Sequence, residues 1–266
     1  MTASVPSISP TGGRLLRVRD AAKAACLDLY RVFKDLPRVW AVALAINVGL
    51  SIPGLLMDGN ARNGVGVWIV STLTGVASAF FLTPYLIAVH RLIILDEIAP
   101  SYILRPGEPR FRKFFLWSLI LWAGVAAPAA LLLLLPVRFI FALTGANVGL
   151  GVTFVATVTI IFTGFWATAR LSILFPAIAV DAAGASWRNV MADTRGYAWR
   201  IFLIFVLTSL PFVPVLIGIG LALGRGTVAG AVIGGAVGIV STTLYVVVAS
   251  RLYQLLGDHV NPSPAV

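Results

Sequence analysis

Six long apolar segments constrain this chain more than any other feature. Each has about 20 residues or more, the length that an α-helix needs to cross the hydrocarbon core of a bilayer. No Asp, Glu or Lys lies in the central part of any of them, and each would cost about 2.5–3.5 kcal/mol at a helix centre. The sequence therefore predicts an all-α fold, a polytopic membrane bundle of six transmembrane helices. The segments run near Val39–Met57, Val65–Leu95, Phe114–Leu135, Val152–Pro176, Ile201–Leu223 and Ala229–Leu256.

The balance of charge agrees with a lipid environment. Of 266 residues, 59% are hydrophobic and only 11% are charged, whereas a soluble domain carries about 25% charged residues to solvate its surface. The net charge of +10 would fit a nucleic-acid partner. However, the basic residues cluster in short segments between the apolar runs, which is the pattern that orients membrane proteins. We therefore expect membrane lipids, and no nucleic acid, as partners.

The distribution of Lys and Arg predicts how the chain crosses the membrane. Seventeen of these residues flank the spans on one side, and only Arg62, Arg138 and Arg225 lie on the other. Cytoplasmic segments carry the excess of positive charge in membrane proteins. The sequence thus predicts that the N- and C-termini are both cytoplasmic.

Four regions follow from this topology: a disordered N-terminus at 1–13, an amphipathic interfacial helix at 14–36, a six-span membrane domain at 37–257 and a disordered C-terminal tail at 258–266. In the interfacial helix, apolar residues recur every three to four positions and basic residues fall largely between them. A second cytoplasmic helix is predicted from a Ser186 cap to Gly196. Both cytoplasmic helices suit either the surface of an anionic leaflet or the cytoplasmic face of the bundle, and the sequence leaves both alternatives open.

An internal repeat of about 80 residues indicates three consecutive helical hairpins. Spans two, four and six each end in an Arg-Leu pair, at Arg91, Arg170 and Arg251, with spacings of 79 and 81 residues. Chance periodicity is the alternative, because such pairs are common. An arginine at a span end can anchor the helix by reaching lipid phosphates. The functional alternative is a ring of three cations that attracts anionic headgroups or solutes at the cytoplasmic mouth.

Small residues in span six predict a close helix contact. Gly230, Gly234 and Gly238 follow one another at four-residue spacing, with Ala231 and Gly235 on a neighbouring stripe. Small residues allow two helix backbones to approach closely in lipid. The partner helix lies either within the chain or in a second copy. Asn47, the amide near the middle of span one, is interpreted as an interhelical contact, with a substrate contact as the alternative.

Reactive chemistry is sparse in this sequence. The histidines are His90, at the end of span two, and His259, in the tail, and neither accompanies the Gly-Xaa-Ser-Xaa-Gly turn of a serine nucleophile. Asp96 and Glu97 are the acidic residues near His90, and we interpret that cluster as a solvated helix end rather than a metal site. We therefore expect no catalytic residue, no metal and no cofactor.

One stretch of the sequence resembles a known family. It begins Ala169-Arg-Leu-Ser-Ile-Leu-Phe-Pro-Ala-Ile-Ala-Val-Asp181 and continues through Ser186-Trp-Arg and Thr194-Arg-Gly-Tyr-Ala-Trp-Arg-Ile-Phe202. It is similar to six-span bacterial inner-membrane proteins of the YciC type and to the membrane domain attached to some glycerophosphodiester phosphodiesterases. The resemblance implies the six-span architecture and a bacterial inner membrane. It implies no activity, since that family has no established catalytic residues to carry over.

Two functions remain as expectations. The first is a non-catalytic membrane protein that organises lipids or partner proteins, with anionic headgroups at its cytoplasmic face and a membrane protein or a second copy as possible partners. The alternative is a passive transporter or channel for a small solute or lipid, because ion-coupled transport usually needs a carboxylate at mid-depth and no span has one. A membrane-embedded enzyme is the third and weakest hypothesis, for want of reactive groups.

Overall fold

A computed structural model describes residues 18–58, 64–134, 146–223, 227–258 and 260. This part of the chain contains α-helices and no β-strand, so the predicted all-α class is confirmed. The segments predicted to be disordered at residues 1–13 and the tail beyond residue 260 lie outside the described residues. The helices are α1 (Val18–Asp35), α2 (Pro37–Asp58), α3 (Gly64–Leu95), α4 (Pro109–Leu134), α5 (Ala146–Leu171), α6 (Leu174–Ala179), α7 (Trp187–Asp193), α8 (Ala198–Ser209), α9 (Phe212–Leu223) and α10 (Val228–Leu256).

Several of these helices are suited to a bilayer. Four stretches in the described chain are long and apolar enough to cross a membrane: Ile69–Leu95, Val158–Ala179, Ala198–Leu223 and Val228–Leu256. A fifth is reached if α1 and α2 count together as one bent span. These four to five apolar helices are compatible with a multi-pass membrane protein. The predicted third span lies on α4, a helix of 26 residues that is outside this count.

The chain turns sharply between α1 and α2, where Lys23–Asp35 and Pro37–Ile52 meet at 97°. The bend follows from Pro37, which suits the first position of a helix but disfavours helical geometry at the residue before it. Because of this turn, α1 packs across α8 and α10 and buries Ala25, Val32 and Leu36 there. The apolar stripe of this amphipathic helix therefore packs on the bundle, which is the second of the two alternatives that the sequence left open.

Prolines also break two of the predicted spans. A proline inside a helix clashes with the carbonyl four residues earlier and cannot donate to it. Pro176 stands four residues after Ser172, which lies between the end of α5 and the start of α6. Pro214 stands four residues after Leu210, at the break between α8 and α9. Spans four and five are therefore each composed of two helices.

Side-chain burial is concentrated at one end of the bundle. In the described chain, the buried residues of α3 are confined to its second half, from Leu82 to Ile93, and those of α10 begin at Gly235 and continue to its end. Helix α8 has buried residues from Ile201 to Thr208, whereas α9 has no buried residue. The dense end is defined as the end of the bundle where α1, α6, α7 and residues 96–108 pack.

Contacts between distant segments hold the dense end together. The Arg31 guanidinium pairs with Asp96, which joins α1 to the loop after α3. Val260 is fully buried. Its N–H donates to Asp193 Oδ2 at 3.1 Å and its carbonyl accepts from the Gly184 N–H at 3.2 Å. These two bonds join Val260 to α7 and to the turn that precedes it.

Candidate functional site

A cavity of about 320 Å³ lies at the centre of the bundle. Five helices surround it, since α3 packs on α4, α4 on α5, α5 on α8, α8 on α10 and α10 on α3. The short helix α6 packs against α3, α4 and α10 and contributes Phe175 to the wall. The lining residues are Leu86, His90, Phe114, Ser118, Thr168, Ala169, Ser172, Phe175, Phe205, Thr242, Tyr245, Val246 and Ala249.

The wall of this cavity is chemically apolar despite its hydroxyl groups. Three of them donate to carbonyls of their own chain segment: Ser118 to Phe114 at 2.9 Å, Thr168 to Gly164 at 2.8 Å and Ser172 to Ala169 at 2.7 Å. Such local bonds use up the hydroxyl protons. Aromatic rings form much of the remaining surface, with the Phe114 and Phe175 centroids 5.0 Å apart and Phe205 stacked on Tyr245 at 5.2 Å. The arrangement suits a hydrocarbon chain better than a hydrated ion.

His90 is the exception in this wall, and its position corrects the sequence-based interpretation. Its exposure is 1%, so it is not part of a solvated helix end. Helix α3 continues for five residues beyond it, and α10 packs alongside. Its Nδ1 lies 2.7 Å from Ser250 Oγ. Among the described residues, no group of three or more His, Cys, Asp or Glu side chains could hold a metal ion.

The interface between α3 and α10 contains further polar contacts. Tyr85 and Thr243 share a buried hydrogen bond between their hydroxyls at 2.5 Å, and Gln254 Nε2 donates to the Ile93 carbonyl at 3.1 Å. Interhelical hydrogen bonds of this kind add to van der Waals packing in a bilayer. They hold the two helices that carry His90 and Ser250 in one register.

The three arginines of the predicted repeat all lie at the dense end, and each joins a long helix to a different element. Arg91 contacts Glu97, with Nε at 2.9 Å, and donates from Nη1 to the Ala179 carbonyl of α6 at 3.1 Å. Arg170 donates to the Met191 carbonyl of α7 at 2.8 Å and lies over the Trp166 ring, 5.1 Å from its centroid.

Arg251 binds α1. Its Nε and Nη2 donate to the two carboxylate oxygens of Asp28 on α1 at 2.5 and 2.8 Å. The pair is bidentate, which is the strongest geometry for an arginine and a carboxylate. The three guanidiniums thus bind protein groups, and their contact with lipid headgroups remains a prediction.

The stretch that carries the family resemblance includes α6 and α7, which lie at the dense end of the bundle. Two residues after the end of α6, Asp181 adopts a left-handed backbone conformation, at φ 53°. Its N–H donates to Ile178 O at 3.2 Å, and the Ala182 N–H donates to Ala177 O at 2.9 Å. These are the two bonds of a Schellman motif. The Asp181 carboxylate also accepts from Arg110 Nε at 3.1 Å, a hydrogen bond that raises the pKa of the arginine.

The predicted helix contact through small residues is present, but its register differs. A Cβ atom at Gly235 would lie 3.1 and 3.2 Å from Val48 Cγ2 and Cα, and one at Gly238 would lie 3.3 Å from Asn47 Nδ2. A Cβ at Gly234 would meet no atom within 4 Å. The close approach to α2 therefore runs through residues 235 and 238, three apart, and Asn47 Nδ2 donates across it to the Gly235 carbonyl at 2.7 Å. Gly230, the third glycine of the predicted stripe, is half-buried near the start of α10.

The second predicted cytoplasmic helix is α7. Its cap is confirmed, because Ser186 Oγ accepts from the Asn189 N–H at 3.3 Å. The helix ends at Asp193, earlier than Gly196, and Gly196 adopts a φ of 82° in the turn that follows.

No protein-family model, curated protein or solved structure matches this chain. The resemblance to the YciC type stays a prediction from the sequence.

Proposed function

We propose that the protein is a non-catalytic membrane protein that organises lipids, and that the central cavity receives part of a lipid molecule. The observation that carries the proposal is the apolar wall between five helices, whose Ser and Thr hydroxyls bond mostly within their own segments. A volume of about 320 Å³ is near the lower limit of small-molecule sites, which begins at about 300 Å³. It therefore suits a single chain rather than a whole phospholipid.

Retention of lipid by the full-length protein tests this function. We expect cavity-filling substitutions, Ala249→Phe and Ser118→Leu, to lower the amount of lipid that remains with the protein after mild extraction. Ala45→Phe is the matched control, because Ala45 is exposed on α2. Mass spectrometry of the purified proteins gives the lipid content. Equal retention in all three variants and the wild type would overturn the proposal.

Passive transport of a small solute or lipid is the second candidate function. It is favoured by the position of the cavity inside a ring of helices, where a path would run. Flux of solutes or labelled lipids in proteoliposomes distinguishes it from lipid organisation. Flux that exceeds that of empty liposomes and disappears with Ala249→Phe would support transport.

We also propose six crossings arranged as three hairpins in a bacterial inner membrane. Four segments that meet at the dense end support this topology: α1, residues 96–108, α6 with α7, and the start of the tail. Between successive segments stand α2 with α3, α4 with α5, and α8–α9 with α10. The helices of each set pack against each other. Each pair that leaves the dense end and returns to it crosses the bilayer twice.

The single cysteine makes the orientation testable. Cys26 lies exposed on α1, on the side proposed to be cytoplasmic. A membrane-impermeant maleimide should label it only after the inner membrane is opened. In a Cys26→Ser background, Arg62→Cys should react in intact spheroplasts. Labelling of Cys26 from outside would refute the proposed orientation.

Anionic headgroups and proteins are the proposed partners of the dense end. Exposed basic residues surround it, and Leu27 and Tyr30 are 74% and 71% exposed on the outer face of α1. Among the described residues, the exposed cations are Lys23, Lys34, Arg38, Arg105, Arg112, Lys113, Arg188 and Arg195. Reconstitution in nanodiscs with and without anionic lipid should show protection of this surface from trypsin only in the anionic bilayer. Equal cleavage in both would contradict headgroup binding.

A further inference from the structure

His90 presents an unused hydrogen-bond acceptor to the central cavity. The Ser250 hydroxyl has one proton, which it donates to the Val246 carbonyl at 2.9 Å. We therefore assign the proton of its 2.7 Å contact with His90 to Nδ1 of the ring. In a neutral imidazole, the other nitrogen is then an acceptor. Since no described carboxylate lines the cavity, a charged ring would be buried without a partner, which is costly.

The acceptor belongs to a residue that lines the cavity. Among the described residues, His90 Nε2 has no hydrogen-bond partner. The atom is not completely buried by protein. His90 itself forms part of the wall and is 1% exposed. A polar atom left unpaired in apolar surroundings is unfavourable. A ligand that supplies a donor at this point removes that cost.

Hydrocarbon alone gives little selectivity here. A lipid chain that moves from the bilayer into an apolar cavity leaves one apolar medium for another, so the hydrophobic effect does not drive the transfer. What distinguishes one ligand from another is then packing and the polar group. The apolar wall and the single acceptor together define the chemistry of the occupant.

From this geometry we propose, building on the lipid-organising function, that the cavity selects a neutral single-chain lipid whose hydroxyl donates a hydrogen bond to His90 Nε2. Fatty alcohols, protonated fatty acids and monoacylglycerols belong to this class. The hydrocarbon chain packs between Phe114, Phe175 and Phe205, and the hydroxyl lies at the imidazole. Ethers and hydrocarbons of the same length lack the donor and bind less well.

A pair of photoreactive probes tests the inference on the full-length protein in nanodiscs. The first is a medium-chain fatty alcohol that carries a diazirine, and the second is its O-methyl ether. We expect the alcohol to bind the cavity about two- to tenfold more tightly, the range of one net hydrogen bond. Crosslinked peptides identified by mass spectrometry locate the site, and competition with unlabelled probe gives relative affinities.

Two substitutions distinguish the role of His90 Nδ1 from that of Nε2. In His90→Asn the amide can still donate to Ser250, but nothing replaces Nε2, and the preference for the alcohol should disappear. In His90→Gln the longer side chain places an amide oxygen near the Nε2 position, and the preference should persist.

The wild-type comparison decides the matter even if a variant fails to fold. If alcohol and ether label the cavity equally, this inference is wrong while the lipid-organising function stands. If neither labels the cavity, the proposed function fails as well.

Discussion

The contact between α2 and α10 yields a sharp prediction, because neighbouring glycines have opposite surroundings. A methyl group at Gly235 would lie 3.2 Å from the Val48 Cα atom, whereas carbon atoms prefer about 3.5–4.0 Å. The Val48 atom belongs to the backbone, so it cannot rotate away, and α2 must move. The Asn47 hydrogen bond to the Gly235 carbonyl moves with it. A methyl group at Gly234 would meet nothing.

The expected size follows from these distances. Overpacking of a well-filled interface costs about 1–3 kcal/mol, and replacing glycine by alanine within a helix returns about 0.5–1 kcal/mol. The helix gain is common to both substitutions and cancels when they are compared. Gly235→Ala should therefore be less stable than Gly234→Ala by about 1–3 kcal/mol.

Unfolding of the detergent-solubilised protein by sodium dodecyl sulfate, followed by tryptophan fluorescence and far-ultraviolet circular dichroism, measures this difference. Val48→Ala removes the Cγ2 contact at 3.1 Å, so it should recover part of the loss in the Gly235→Ala background. The two positions should couple in a double-mutant cycle. The reasoning is refuted if Gly234→Ala destabilises the protein at least as much as Gly235→Ala. That outcome would indicate that the helix contact runs through the stripe of Gly230, Gly234 and Gly238 instead.

Two further predictions concern polar contacts. Asp28→Asn weakens the bidentate pair with Arg251 and should destabilise the protein by about 1.5–3 kcal/mol. Asp96→Asn removes an exposed pair and should change stability by about 0–1 kcal/mol. Equal losses in the same unfolding assay would contradict a stabilising role for the Asp28–Arg251 pair. Tyr85→Phe removes a buried interhelical bond whose partner Thr243 still donates to its own helix at 2.6 Å. It should cost about 0.6 kcal/mol and no more than about 1.7 kcal/mol, and a larger loss would show that the bond has another role.

Local rules recovered the features that depend on neighbouring residues. The cap at Ser186 and the apolar stripe of α1 depend on residues a few positions apart, and both are present. The breaks before Pro176 and Pro214 are only partly local: each proline removes the bond to the carbonyl four residues earlier, yet α3 continues through Pro84. Hydropathy alone did not reveal them, because it averages over the break.

Features that depend on which helices meet could not be derived from the sequence. His90 stands five residues from the end of α3, and from the sequence its polarity and position suggested a solvated end. Its burial results from the packing of α10 on α3, and its hydrogen-bond partner Ser250 lies 160 residues later in the chain. The same is true of Arg251, whose partner Asp28 is 223 residues away. The cavity is likewise formed by five helices, so it cannot be predicted from any single segment of the sequence.

The uneven burial along the bundle has a consequence for its place in a bilayer. One end is stabilised by ion pairs and buried side chains, whereas α9 has no buried residue and packs mainly on α10. A change in lipid thickness strains whichever part of a protein yields most easily. We expect α9 to tilt and absorb such a change, while the layer that contains α1 and α6 keeps its geometry. The protein can then tolerate membranes of different thickness without disturbing the pocket.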